Sequence, residues 1–90
     1  MSNSELAEPN AFLALVEEIY ADLKQVRRSI RLDDVIAKDL GIDSLDALEL
    51  LVSLEQRYSV ELVGSPNVAA VKTVGDLYEL LGRLTGARVG

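Results

Sequence analysis

The sequence contains no cysteine, no histidine and no tryptophan. Without cysteine there can be no disulfide bond and no thiolate nucleophile, and without histidine there can be no imidazole base. The usual zinc sites need one or both of these residue types, so no metal site is expected. These absences exclude the enzyme classes that depend on a protein thiol, an imidazole or a bound zinc ion.

Aromatic residues are also scarce, since only Phe12, Tyr20, Tyr58 and Tyr78 occur among the 90 residues. The apolar content of 49% is nevertheless that of a globular domain. The core must therefore consist mainly of Leu, Val, Ile and Ala. A chain of this length is expected to form one small domain of modest stability.

Long hydrophobic runs are absent as well. No apolar stretch approaches the roughly 20 residues that a membrane-spanning helix needs. The first residues, MSNSELAEPN, hold no basic patch and no apolar run, so no signal peptide is expected. We predict a cytoplasmic protein that acts as a monomer.

Acidic residues are concentrated in the middle of the chain. The net charge is −6, and residues 33–61 alone contain eight acids and two bases, so the remainder of the chain is neutral. Such a surface repels nucleic acid and attracts basic protein surfaces. A solvated acidic surface that only maintains solubility is the simpler alternative.

The spacing of apolar residues predicts an all-α protein, a four-helix bundle with three longer helices and one short one. Helix one is expected over residues 9–28, with Val26 in its core stripe, and helix two over residues 44–58. Ser65 and Pro66 begin a short helix that ends near Val71, and Thr73 with Asp76 caps a last helix that ends near Leu84. Residues 9–85 are predicted to form one folded domain, while residues 1–8 and 86–90 are predicted to be flexible.

The connection over residues 29–43 is too apolar for a mobile loop and should pack over the helices.

Helix two has more apolar residues than one core requires. Ala47, Leu50, Leu51, Leu54 and Tyr58 follow the spacing of a buried stripe. A second apolar line lies beside three acids on another side, and consists of Leu45, Leu48 and Val52 beside Asp46, Glu49 and Glu55.

The run Leu-Gly-Ile-Asp-Ser-Leu-Asp over residues 40–46, followed by Leu48-Glu49-Leu50, resembles the attachment signature of acyl carrier proteins. The resemblance implies that a phosphopantetheinyl transferase, using coenzyme A and magnesium, esterifies Ser44 with 4′-phosphopantetheine. Acyl groups would then be carried as thioesters on the terminal thiol of this arm. The protein itself would not be an enzyme.

General chemistry supports this role for Ser44. Asp43 is a natural N-cap, so Ser44 would lie exposed at a helix start, where free amides and the helix dipole favour a phosphate group. Gly41 would allow a close approach to the serine. No base stands beside Ser44 in the sequence, so modification by another enzyme is the better interpretation than self-activation. The resemblance also implies that Asp43 helps the transferase and its metal ion to engage the carrier.

The resemblance further implies a partner-recognition face on helix two. Its acids would meet basic docking surfaces on the transferase and on acyltransferase, ketosynthase or acyl-activating enzymes, and its apolar residues would lie between them. The face comprises Leu45, Asp46, Leu48, Glu49, Val52 and Glu55. Helix one, with Leu50, Leu54 and Val74, could also line a pocket for an acyl chain, although an ordinary core explains the same pattern better.

One departure from bacterial fatty-acid carriers concerns the short third helix. Acids are expected there, but residues 65–71 carry no charge. This difference favours a polyketide or other specialised pathway over general fatty-acid synthesis. Two alternatives stay open: a peptidyl, aminoacyl or D-alanyl carrier, and an acidic helical adaptor that is never modified.

Overall fold

Three α-helices and one 3-10 helix form the part of the chain that the computed structural model describes, residues 9–85. The α-helices are α1 (Pro9–Lys24), α2 (Ser44–Tyr58) and α3 (Val74–Thr85), and the 3-10 helix is Pro66–Ala70. The all-α class is confirmed, but the fourth element is a single 3-10 turn and not an α-helix. The predicted flexible segments, residues 1–8 and 86–90, lie outside the described residues.

The core is aliphatic with two aromatic side chains, as the composition indicates. All three α-helices contribute to it, and so do the two connections on either side of α2. Its buried members are Phe12, Val16, Tyr20, Ile30, Leu40, Ile42, Leu50, Leu54, Leu62, Val74, Leu77, Leu80 and Leu81. The predicted stripe of α2 is confirmed, since Leu50 and Leu54 are buried and its other members pack against the core.

α1 is shorter than predicted, because it ends at Lys24 and not near Arg28. Gln25 adopts a left-handed conformation with φ of 60°, and its amide donates to the Ala21 carbonyl at 2.8 Å. A left-handed residue terminates a helix and redirects the chain. Val26 is consequently 52% exposed, so its predicted place in the core was wrong.

The connection between α1 and α2 is packed, as predicted. Ile30, Leu40 and Ile42 are buried, and backbone hydrogen bonds join the connection to the start of α3. The Gly75 amide donates to the Leu32 carbonyl at 2.7 Å. A Cβ on Gly75 would lie 3.1 Å from that carbonyl oxygen, so a larger residue would have to displace this carbonyl by a few tenths of an ångström. This connection carries the chain across the helices to the start of α2.

The predicted cap of α3 is confirmed. The Asp76 amide donates to Thr73 Oγ1 at 3.0 Å, and Asp76 Oδ2 accepts from the amides of Lys72 and Thr73 at 3.0 and 3.1 Å. The hydrogen bond from the Lys72 amide has the largest effect and that from Thr73 the next largest, and together they hold the pKa of the Asp76 carboxyl below its ordinary value of 3.8. The carboxylate thus favours the folded state wherever it is ionised.

The Asp76→Ala variant should melt on the order of 4 °C below wild type at pH 7, because two backbone amides lose their acceptor. The folded-state pKa is lowered, so this contribution is complete above the ordinary aspartate pKa and is lost as the pH falls through the folded-state value. Thermal melts from pH 7 to pH 2 should therefore show the gap closing only at the acid end. Glu79→Ala, an exposed acid on the same helix, is the matched control. A gap that is constant with pH would contradict the ionic role of Asp76.

Candidate functional site at the start of α2

Ser44 is the first residue of α2, and its side chain is exposed. Asp43 is the N-cap, with extended backbone angles, and its Oδ1 accepts from the Asp46 amide at 2.9 Å. The Ala47 amide donates to the Asp43 carbonyl at 2.8 Å and closes the first turn. The predicted cap is confirmed. It places the Ser44 hydroxyl at the end of the helix where backbone amides point outward and the dipole is positive.

The segment before Ser44 is held against α1. Tyr20 donates its hydroxyl to the Leu40 carbonyl at 3.2 Å, and Lys24 Nζ donates to the Gly41 carbonyl at 3.1 Å. Gly41 itself has φ of +65°, and a Cβ there would meet no atom within 4 Å. Glycine is thus favoured here by its left-handed backbone conformation. The close approach to the serine that Gly41 would allow stays a prediction.

Lys24 also forms an ion pair with α2. Its Nζ lies 3.0 Å from Asp46 Oδ2, and both side chains are partly exposed. The hydrogen bond with Asp46 is the main cause that raises the pKa of Lys24 above its ordinary value of 10.5. The sequence did not reveal this pair, because the two residues lie 22 positions apart and meet only where α1 contacts α2 in the fold.

A cavity of about 390 Å³ opens beside Ser44 and Asp43. It lies between the connection before α2, the inner face of α2 and the 3-10 helix, and its apolar lining includes Ile36, Ile42, Ala47, Leu51, Val68 and Val71. The pocket considered from the sequence was placed differently. Leu50 does line the cavity, but α1 does not, and Leu54 and Val74 belong to the solid core.

The second apolar line of α2 lies outside the core. Leu45 is 66% exposed, Leu48 44% and Val52 37%. Glu49 is exposed beside them. The simpler explanation, partial burial against the connecting segment, still leaves more than a third of each side chain at the surface. Adjacent exposed apolar side chains of this size are typical of an interaction surface.

Glu55, the third acid assigned to this face, is engaged within the fold. Its Oε2 accepts from the amides of Leu62 and Val63 at 2.6 and 2.7 Å. These bonds hold the chain as it leaves α2, where Ser59 adopts a left-handed conformation with φ of 57°. Leu62 is thereby fixed in the core. The structure thus gives Glu55 a structural role that the sequence pattern had not indicated.

Glu55→Ala is expected to lower the free energy of unfolding by about 2 kcal/mol, since two amides lose a charged acceptor. Glu49→Ala, an equal change two turns earlier on the same helix, should alter it by less than about 0.5 kcal/mol. Urea titrations followed by circular dichroism compare the two variants directly. Equal midpoints would show that Glu55 is as dispensable to the fold as Glu49.

Between residues 9 and 85 there is no group of three or more acidic side chains placed to hold a metal ion. In the same range, no helix combines the length and the apolarity needed to cross a membrane.

The chain resembles known proteins along most of its length. The family described as "Phosphopantetheine attachment site" matches residues 14–81, a range that contains Ser44. An acyl carrier protein from Campylobacter concisus is 32% identical over 71 residues, which cover 77% of this chain and 87% of that protein. An acyl carrier protein from Clostridium perfringens is 36% identical over 67 residues, covering 73% and 87% respectively.

The helical fold and the exposed serine after an N-cap are the features expected of a phosphopantetheine-binding carrier. The extent and identity of these matches show that the chain belongs to the acyl carrier protein family. It is therefore a carrier and not an enzyme, and its prosthetic group is a covalently attached 4′-phosphopantetheine.

Proposed function

We propose that Ser44 is the residue that carries 4′-phosphopantetheine. The observation that carries this proposal is the placement of an exposed serine hydroxyl at the amino end of α2, directly after the Asp43 cap. The position within the matched family range supports the same residue. Bound there, the group supplies a terminal thiol on which cargo is held as a thioester.

The residues around Ser44 fit such a group. A phosphodiester on the serine oxygen would lie next to the amides of the first turn of α2, where the helix dipole favours negative charge. Asp43 keeps that turn in place through its bond to the Asp46 amide, at 2.9 Å. We propose that the same exposed carboxylate faces the transferase and its magnesium ion during loading.

The cavity beside Ser44 suggests where part of the cargo is held. Its volume of about 390 Å³ lies in the range of small-ligand pockets, and its lining is mainly apolar. We propose that the apolar portion of a bound acyl group enters between α2 and the 3-10 helix. A polar aminoacyl or peptidyl cargo would gain less from this lining, which favours acyl cargo.

We propose that partner enzymes dock on the exposed face formed by Leu45, Leu48, Val52 and Glu49, with Asp46 and Glu55 at its edge. The partners are a phosphopantetheinyl transferase and acyltransferase, ketosynthase or acyl-activating enzymes that present basic docking surfaces. Exposed apolar side chains flanked by acids support this assignment. The cytoplasmic location and the monomeric state stay predictions.

We also propose a polyketide or other specialised pathway for this carrier. The 3-10 helix Pro66–Ala70 has no buried residue and no charged one, so it offers no carboxylate to a partner. Enzymes that hold the third helix of a carrier through salt bridges should bind this protein weakly.

Peptide mapping tests the attachment site. The purified protein is incubated with coenzyme A, magnesium and a broad-range phosphopantetheinyl transferase, and then digested and analysed by mass spectrometry. We expect one added phosphopantetheine, located on the peptide that contains Ser44. A modification on another residue would refute the site, and a folded protein that stays unmodified would favour the adaptor alternative.

A further inference from the structure

The three acids of α2 that face outward are not equivalent. Asp46 is paired with Lys24 at 3.0 Å, and Glu55 accepts the amides of Leu62 and Val63. Glu49 alone is exposed, and its side chain has no hydrogen bond or ion pair with any residue between 9 and 85. The acidity of α2 that the sequence displays is therefore only partly available at the surface.

Lys24 is well placed to keep Asp46 occupied. It is the last residue of α1, and its ammonium group donates both to Asp46 Oδ2 and to the Gly41 carbonyl, at 3.0 and 3.1 Å. A basic side chain of a partner that approached Asp46 would have to displace an ammonium group with two acceptors already in place. The ammonium group is charged at neutral pH, as in any exposed lysine, and its hydrogen bond with Asp46 raises its pKa further.

We infer that Lys24 is a specificity-determining residue that withholds the carboxylate of Asp46 from partner enzymes. On α2 itself, partners then meet three apolar side chains and a single free carboxylate, that of Glu49. The partner surface that fits this arrangement is an apolar patch with one cation opposite Glu49, and not a row of arginines or lysines. This inference rests on the proposed docking face of α2 and specifies its chemistry.

The test is a gain of function. Lys24→Gln removes the competing charge but keeps a side-chain amide that can still donate to the Gly41 carbonyl. The reaction uses a broad-range phosphopantetheinyl transferase, coenzyme A and magnesium at low salt. The KM of the transferase for the Lys24→Gln variant should be about threefold lower than for the wild-type protein, because Asp46 becomes available to a basic surface. Its kcat should stay at the wild-type value. A variant that merely loosened the fold would not improve KM.

Three further variants separate this effect from a general change in charge. Adding Asp46→Asn to Lys24→Gln should return KM to the wild-type value. Lys24→Arg, which retains the cation, should keep the wild-type KM. Lys38→Gln removes the same charge at an exposed position that forms no ion pair within residues 9–85, and should improve KM by less than about 1.5-fold.

The inference is overturned if Lys24→Gln leaves KM unchanged or raises it, or if the gain survives the loss of Asp46. Should Lys24→Gln fail to fold, two single variants that keep Lys24 are compared instead. Glu49→Gln must then raise KM more than Asp46→Asn does, and equal effects or the reverse order would overturn the inference. A complete lack of loading in every folded variant is a different result, because it refutes the proposed function itself and this inference with it.

Discussion

The Ser44→Ala variant should take up no phosphopantetheine under conditions that load the wild-type protein completely. The expected loss is total, because the reaction needs the serine oxygen as the atom that forms the phosphodiester bond. The fold should be retained, since the Ser44 side chain is exposed and alanine is a good helix former. Intact-mass spectrometry after incubation with coenzyme A, magnesium and the transferase measures the outcome.

Ser29→Ala provides the matched control for this experiment. Ser29 is also exposed and lies at the beginning of the packed connection, away from the start of α2. This variant should load at the wild-type rate. Full loading of Ser44→Ala would place the arm on another residue and would refute Ser44 as the attachment site.

Phe12→Ala should have the largest effect on the fold. The Phe12 side chain is fully buried, and its ring lies 5.2 Å from that of Tyr78 at an angle of 52°, so it joins α1 to α3. Truncating a buried phenylalanine costs about 3–5 kcal/mol, whereas a domain of this size is stabilised by roughly 5–13 kcal/mol in total. We therefore expect the urea midpoint to fall by roughly a quarter or more.

Val26→Ala is the control for the core. Val26 continues the apolar spacing of α1 in the sequence but is mostly exposed in the structure. Its truncation should therefore change the free energy of unfolding by less than about 0.5 kcal/mol. Urea titrations monitored by circular dichroism at equal protein concentration compare the two variants. Coincident midpoints would contradict the packing of α1 against α3.

The site at the start of α2 could be predicted from sequence because its determinants are local. The cap by Asp43, the exposed Ser44 and the two faces of α2 all follow from residues within one or two helical turns of one another. The positive φ of Gly41 is likewise a property of a single residue, although the sequence had suggested another reason for that glycine.

The interactions that modify this site are not local, and the sequence did not indicate them. The pairing of Lys24 with Asp46 depends on where α1 ends, and the left-handed turn at Gln25 has no strong sequence signal, because glycine or asparagine is the usual residue there. Glu55 is indistinguishable from a surface acid until the chain after α2 turns back over it. Both features reduce the number of carboxylates that are free at the surface.

The short element Pro66–Ala70 shows the same limit for backbone structure. Its start was predictable, since Ser65 accepts from the Asn67 amide and Pro66 follows it. Its type was not, because a run of five residues is too short for helical periodicity to separate an α-helix from a 3-10 turn. The cavity beside Ser44, which Val68 and Val71 help to line, therefore could not be placed from the sequence.

The central claim is that the Ser44 hydroxyl anchors a thiol-bearing arm while the protein itself catalyses nothing. The most direct measurement is the intact mass of the protein purified from its natural source. We predict the polypeptide mass plus one phosphopantetheine, with or without an acyl group on its thiol, and fragmentation that assigns the addition to Ser44. A population that consists entirely of unmodified polypeptide, and that cannot be loaded afterwards, would contradict the claim.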